Sequence, residues 1–467
     1  MKYDVIIVGG GIVGCAVARF LSQYDISVCV AEKNSDVSEG ATKANSGILH
    51  AGYDCMPGSK KAKFNKEGLQ MFPKLCENLQ IPYKNNGSLV ISVGDTKGLH
   101  VLYERGLKNG ISGLEILTAE QALKLEPNLS TAVTGAMRAN GAGIISPYEA
   151  CIAFAENSIQ NGVKFCLNTK ITKIERISDG FHLSSTRGPL EAKIIINAAG
   201  VDSATVNNFL NPKQEKILPQ RGEYYVLDNT VSSLVSHTIF QLPTDSGKGV
   251  LVAPTVDGNI LLGPTADYVN DPYDTSTTVE CLQEVLEKAT ITLREVPVRE
   301  RIAAFAGIRA KHEGRDFILD EPLPGFINAL GIDSPGLTAA PAIAREIADI
   351  ALSRLEPKLK PEFTQYRKKI TRIRELTPEE QNNMIQANPA YGRIVCRCEH
   401  VTEAEIIEAI SRSGDTLDGI KRRTRTQMGR CQGSFCAAKI MEIASRQLSI
   451  PEVRLTKKGE GSDILAY

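Results

Sequence analysis

One turn near the N-terminus constrains the fold of this chain more than any other feature. An apolar stretch from Asp4 to Val8 runs into Gly9-Gly10-Gly11-Ile12-Val13-Gly14. A helical pattern follows to about Ser22, and a second apolar stretch, Ile26 to Ala31, ends at Glu32, 18 residues after Gly14. Strand, glycine turn, helix and strand in this order predict a βαβ unit. Gly9, Gly11 and Gly14 permit the tight turn and the close approach of a pyrophosphate. That group would rest on the helix N-terminus at Ile12 and Val13, where backbone amides have no intrahelical acceptor. Glu32 would accept hydrogen bonds from ribose hydroxyls, and its charge disfavours a 2′-phosphate. The glycines alone do not say which dinucleotide binds.

Size and charge bound the rest. At 467 residues the chain exceeds one hydrophobic core, so two or three domains are expected. Lys plus Arg equals Asp plus Glu at 54 each. That balance argues against nucleic acid as the main partner and offers no long-range steering of an anionic substrate. No apolar run reaches the roughly 18 residues that span a bilayer, and no basic n-region precedes the first strand. A cytoplasmic protein without a transmembrane segment is expected, meeting a membrane only through a partner.

The stretches after the βαβ unit narrow the dinucleotide. Gly40-Ala-Thr-Lys-Ala-Asn-Ser-Gly-Ile-Leu-His50-Ala-Gly resembles the second FAD-contacting segment of the D-amino-acid-oxidase-like flavoprotein superfamily, which runs past the pyrophosphate to the isoalloxazine. Ile194-Ile-Ile-Asn-Ala-Ala-Gly200 resembles the superfamily's strand beside the adenosine half. Gly331-Ile-Asp-Ser-Pro-Gly-Leu-Thr338 resembles its closing turn, where a helix N-terminus meets the flavin pyrimidine. A flavin that accepts hydride gains negative charge around N1 and O2, which a helix N-terminus stabilises. The resemblance implies FAD as the cofactor. To Gly9, Gly11, Ile12, Val13, Gly14 and Glu32 it adds Lys33, Thr42, Asn45, Ser46, Gly47, Ile171, Ala199, Gly200, Gly307, Gly336, Leu337 and Thr338 as contacts.

The fold class expected is α/β, a Rossmann-type FAD-binding domain interleaved with an antiparallel-sheet (α+β) substrate domain. Helical periodicity at Pro147–Gly162, strands within Val163–Ile177 and at Lys193–Ala198, a strand at Phe326–Gly331 and a helix at Pro335–Ser353 belong to the first. Alternation from Arg221 to about Asp267 belongs to the second, with Asp257-Gly258 marking a hairpin between Val250–Thr255 and Asn259–Gly263. The boundaries read as 1–88, 147–220 and 326–355 for FAD binding and 89–146 and 221–325 for substrate. A helical linker rich in charge and proline is expected at 356–390, and a small cysteine-rich domain at 391–467.

On the substrate side, Asn45-Ser-Gly-Ile-Leu-His-Ala-Gly52 with Arg221-Gly-Glu-Tyr-Tyr225 most resembles the L-2-hydroxyglutarate oxidase/dehydrogenase branch, as do Leu262-Gly-Pro-Thr265, Ala306-Gly-Ile-Arg309 and Ser334-Pro-Gly336. Oxidising a secondary alcohol needs a base at the hydroxyl and a cation for the anionic group. His50 suits the base, since imidazole exchanges protons near neutral pH; covalent flavin attachment and a core histidine are its other readings. Arg309 is the anion clamp, with an ordinary salt bridge as the alternative. Arg221, next to Glu223, Tyr224 and Tyr225, either supplies a second cation or braces the sheet. Lys311 and His312 would line the same pocket.

Eleven cysteines are present, seven of them scattered singly, as suits small buried hydrophobes. Cys396-Arg-Cys398, 32 residues, then Cys431-Gln-Gly-Ser-Phe-Cys436 form a set of four soft ligands, suited to a [2Fe–2S] cluster or to zinc. The spacing resembles the bacterioferritin-associated-ferredoxin-like [2Fe–2S] domain, and the surrounding residues resemble the C-terminal domain of the anaerobic glycerol-3-phosphate dehydrogenase large subunit. The basic run Lys421, Arg422, Arg423, Arg425 and Arg430 would offset the cluster's charge or dock an acidic partner. The function expected is an FAD-dependent dehydrogenase of a small anionic 2-hydroxy acid, passing electrons through a [2Fe–2S] cluster to a redox partner protein or membrane-associated acceptor. Glycerol 3-phosphate, an amine or amino acid, and a non-catalytic electron-transfer subunit are the alternatives.

Overall fold

Val5 to Val8 are buried on both faces of a sheet, which is why this strand reads as an unbroken apolar run. In the computed structural model, which describes residues 1–242 and 249–465, the strand is β1 (Lys2–Val8). It is followed by α1 (Ile12–Leu21) and β2 (Val28–Ala31), then further along by α2 (Pro147–Gln160) and β3 (Leu190–Asn197). β1 lies between β3 and β2, parallel to both. Among the described residues this sheet has eight strands; Phe326–Leu330 extends it from β3 in parallel. Val5, Ile7, Ile194 and Ile196 face α1 and α2, whereas Ile6, Val8 and Ile195 face Phe181, Val206 and Phe326.

Among the described residues, the second sheet has nine strands. Its longest ladder pairs β4 (Ile217–Leu227) with β5 (Arg301–His312), antiparallel over almost their whole length. Leu251–Pro254 and Ile260–Gly263 form the hairpin expected at Asp257-Gly258, closed by the Gly258 amide on the Thr255 carbonyl. The part of the alternating stretch at 243–248 lies outside the described residues, as do the last two residues of the 391–467 segment. A three-stranded sheet of Ile48–Leu49, Tyr83–Lys84 and Gly143–Ile145 lies apart from both large sheets. α3 (Gly336–Leu355) packs its alanine-rich face on α1 and on the Lys60–Leu79 helix.

Two expectations change. Ile318–Leu323, inside the segment assigned to the substrate domain, hairpins onto Phe326–Leu330 and so joins the first sheet. Residues 356–390 are not a helical linker: only Pro378–Ala387 is α-helical. Pro357 and Pro361 bar a helix at the start of the segment. The chain there is pinned as a strap, with the Lys360 amide on Gln23 O at 2.8 Å, Asn157 Nδ2 on Thr364 O at 2.9 Å, and Arg367 Nε on Glu156 at 2.5 Å.

The C-terminal module pairs Ile394–Cys396 with Val401–Thr402 and packs helices Glu403–Ser411, Leu417–Thr424 and Ala437–Leu448 around Ile406, Ile420 and Ile440. Thr402 and Glu405 form a capping box that sets the first of these helices. Among the described residues, no helix is long and apolar enough to cross a membrane.

Candidate active site

The glycine turn is closed by sterics and by two side chains. Gly9 has φ 110°, and a Cβ there would stand 2.5 Å from Ala198 O; at Gly14 it would stand 2.0 Å from Gly9 O. Only glycine lets the turn press against the Ala198–Gly200 segment and α1 against the turn. The Gly10 amide donates to Glu32 Oε2 at 2.6 Å, and the Ile12 amide, at the start of α1, donates to Thr42 Oγ1 at 3.0 Å. Burial pushes the Glu32 carboxyl up, with the Gly10 and Asn34 amides pulling against it. The Thr169 amide donates to the Glu32 carbonyl at 2.7 Å, which brings the start of the Ile171 strand to the same place. Lys33 is held at 2.6 Å by Asp202 and lies 4.2 Å from the centroid of the Tyr273 ring. A cradle that a Cβ would fill, a helix N-terminus and a buried acid beside it fit the pyrophosphate and ribose of a dinucleotide, with the Ile12 amide already taken by Thr42.

From Thr42 the chain turns through Asn45, whose Oδ1 accepts from the Gly47 amide at 2.8 Å, and reaches the second sheet. A Cβ on Gly307 would meet Ala44 O at 2.0 Å, so the loop lies directly on β5. Gly222 and Gly307 are register partners, as are Gln220 with Arg309 and Tyr224 with Phe305. Gly222, Tyr224, Gly307 and Arg309 therefore share one face. The Arg309 guanidinium lies over Gly222, with Nη1 3.3 Å from Thr265 O. Tyr224 is stacked on Phe305 at 4.7 Å; burial raises its phenol while Arg309 and a hydrogen bond with Ser46 pull it down.

Arg221 does not join this group. It points from the opposite face of β4 to Glu223 at 3.1 Å, Asp274 at 2.6 Å and Ser276 at 3.1 Å, and so braces the sheet. Alternation sorts the other pair. Lys311 shares the face of Arg309, with Nζ 3.3 Å from Tyr268 Oη, whereas His312 turns into the core against Glu215 at 2.8 Å. Period-two spacing from Arg309 identifies Lys311 rather than His312 from sequence alone. Tyr268 and Phe305 carried no comparable sequence signal.

His50 sits where the Gly40–Gly52 segment meets α3. Its amide donates to Thr338 Oγ1 at 2.9 Å, its carbonyl accepts from Asn65 Nδ2 at 3.0 Å, and its ring lies 5.7 Å from Phe240. Gly336, Leu337 and Thr338 form the first turn of α3. One short stretch, Ser46 to His50, thus links Tyr224 and Arg309 at one end to the N-terminus of α3 at the other.

In the C-terminal module the four cysteines act on one another's acidity in two pairs, Cys396 with Cys436 and Cys398 with Cys431. The Cys436 thiol and the Gln427 and Glu399 amides bring Cys396 down to about 6. Burial pushes the Cys431 thiol up, but the Phe435 and Gly433 amides and the Cys398 thiol bring it below its usual value. Four soft donors with amides turned towards them fit a thiolate-ligated [2Fe–2S] cluster. The basic run is not a free surface. Arg422, Arg423 and Arg425 are buried on carboxylates of the rest of the chain, and Arg430 reaches Asp228 at 2.9 Å.

Residues 4–350 match the family described as FAD dependent oxidoreductase, and residues 394–446 match the BFD-like [2Fe-2S] binding domain. The chain belongs to the FAD-dependent oxidoreductase family. The flavoenzyme is 43% identical over 99% of its length, and 98% of the relative, to a glycerol 3-phosphate dehydrogenase of Caloramator mitchellensis. It is 26% identical over 74% of its length, and 83% of the relative, to a mitochondrial L-2-hydroxyglutarate dehydrogenase of Arabidopsis thaliana. Among solved structures, the dithionite-reduced L-alpha-glycerophosphate oxidase of Mycoplasma pneumoniae with FAD bound superposes with a TM-score of 0.75 at 31% identity. That match covers 78% of this chain and 98% of the other. The flavoenzyme is thus an oxidoreductase of CH–OH groups with two cofactors, FAD in the first 350 residues and a [2Fe–2S] cluster in the C-terminal module.

Proposed function

We propose that this flavoenzyme is a glycerol-3-phosphate dehydrogenase. The observation that carries the reading is the match at 43% identity over 99% of the chain, which spans the flavin part and the cluster module together. The expected 2-hydroxyglutarate substrate rested on motifs in the flavin half, and that likeness is weaker and shorter. The geometry supports the change. A phosphate dianion calls for more positive charge than Arg309 alone, and Arg221 is neutralised on the wrong face, but Lys311 projects beside Arg309.

In this reading Arg309 and Lys311 grip the phosphate, Arg309 through its planar fork and Lys311 as a point charge. Tyr224 and Ser46 fix the Arg309 side of the pocket. His50 accepts the proton of the secondary hydroxyl as the carbon becomes a ketone. FAD held at the Gly9–Gly14 turn would supply a two-electron acceptor for the C–H bond, and a [2Fe–2S] cluster held by Cys396, Cys398, Cys431 and Cys436 would supply a one-electron outlet to a separate redox partner.

Anaerobic addition of sn-glycerol 3-phosphate is expected to bleach the flavin absorbance, whereas L-2-hydroxyglutarate leaves it intact. Lys311→Met is expected to raise KM for the phosphate at least about ten-fold, the worth of one charge-assisted contact. Bleaching by L-2-hydroxyglutarate alone, or by neither compound, would overturn the assignment.

A further inference from the structure

The loop from Lys33 to Ala44 links the two ends of the dinucleotide site. At its start Glu32 holds the Gly10 amide, and near its end Thr42 Oγ1 accepts from the Ile12 amide. Between them the Ser38 amide donates to the Gly10 carbonyl at 2.9 Å, and Ser38 itself has φ 68°. The same span carries two buried acids, Asp36 and Glu39, with side chains 3% and 5% exposed. Two uncompensated carboxylates there would be costly to bury and would repel the pyrophosphate dianion expected on the N-terminus of α1.

Most of their compensation comes from nearly 400 residues away. Arg422 Nη2 lies 2.9 Å from Asp36 Oδ2 and 2.5 Å from Glu39 Oε1. Arg423 takes Asp36 with Nη1 and Nη2, at 2.6 and 3.1 Å. Both arginines are 4% exposed, and Lys43 adds a contact to Glu39 from within the loop. Burial alone would raise the Asp36 carboxyl, but Arg423 and Arg422 hold it below the usual carboxylate range. The module has other anchors. Arg425 reaches Asp257 at 2.8 Å, Asn259 at 3.0 Å and Tyr148 at 3.2 Å.

We propose that the cluster module is part of the FAD site, with Arg422 and Arg423 neutralising Asp36 and Glu39 so that module docking and FAD retention reinforce each other. The coupling is reciprocal, as any linkage between two binding events must be. FAD steadies the loop that the arginines grip, and the arginines hold that loop in the shape the cofactor needs.

The test uses the full-length protein. Apoprotein carrying R422A and R423A is titrated with FAD by quenching of flavin fluorescence, and its iron content is measured alongside. Weakening of FAD binding by about ten-fold or more is expected, within the usual span of coupling energies, with iron retained because Arg425 still seats the module. Adding D36N and E39Q removes the stranded charges and is expected to restore most of the affinity. The reciprocal arm needs no variant: removing FAD from the native protein is expected to speed amide exchange at residues 417–425. Native FAD affinity in the iron-loaded arginine variant overturns the proposal, as does exchange at 417–425 indifferent to FAD.

Discussion

Gly222 and Gly307 face each other across one ladder, yet a methyl group on each should break a different function. At Gly307 the added Cβ would lie 2.0 Å from Ala44 O and 3.0 Å from Ala44 C, both backbone atoms. Ordinary contact begins near 3.4 Å, so the loop bearing Asn45 and Ser46 must retreat by about 1.4 Å. Overpacking of this kind costs about 1–3 kcal/mol, and taken from cofactor binding it weakens the FAD dissociation constant by about five- to hundred-fold. At Gly222 the same methyl would meet Arg309 Nη2 and Nη1 at 2.8 and 2.9 Å and Pro264 Cβ at 2.9 Å. The guanidinium can swing aside, so FAD binding should hold while the anion clamp is misplaced. Loss of one charge-assisted contact, about 1.5–3 kcal/mol, raises KM for the phosphate by roughly ten- to hundred-fold. FAD titration of each apoprotein and anaerobic reduction of each holoenzyme separate the two outcomes. If Gly307→Ala binds FAD as the native protein does, or if both variants lose the same property, the loop does not rest on this ladder as described.

Arg221→Met should leave KM almost unchanged but take the cation from the fully buried Glu223, leaving it only the Thr278 amide and hydroxyl, at a cost of about 3 kcal/mol read as a lowered Tm in thermal unfolding. Asp36 gives a pH signature. Its folded-state carboxyl lies below the usual value, so its stabilising contribution is complete above the unfolded value of about 3.9 and is lost only as pH falls through the lower folded one. FAD affinity should therefore show no Asp36-dependent change between about pH 5 and 8 and an acid limb below about pH 4, which D36N removes.

The parts of this molecule legible in the sequence are those decided by neighbours along the chain. β1, α1 and β2 read correctly because a strand buried on both faces must be apolar throughout and a glycine turn must precede a helix that receives a phosphate. The hairpin at Asp257-Gly258 was visible for the same local reason. What failed was decided by pairing at a distance. Alternation along β4 separates Arg221 and Glu223 from Gly222 and Tyr224, but does not say which set faces the loop at Ala44–Ser46. The register of β4 with β5 decides it by placing Gly222 opposite Gly307, so that the loop at Ala44 can settle on β5. The basic run shows the limit most clearly. Five cations beside four thiolate ligands suggested compensation of the cluster or an acidic partner. Three of them are instead buried against Asp36, Glu39 and Asp257, acids that look unremarkable in their own stretches of chain. A surface arginine and one buried on a distant carboxylate differ only in where the fold puts that carboxylate. The partner suggested by that charge run lies within the same chain.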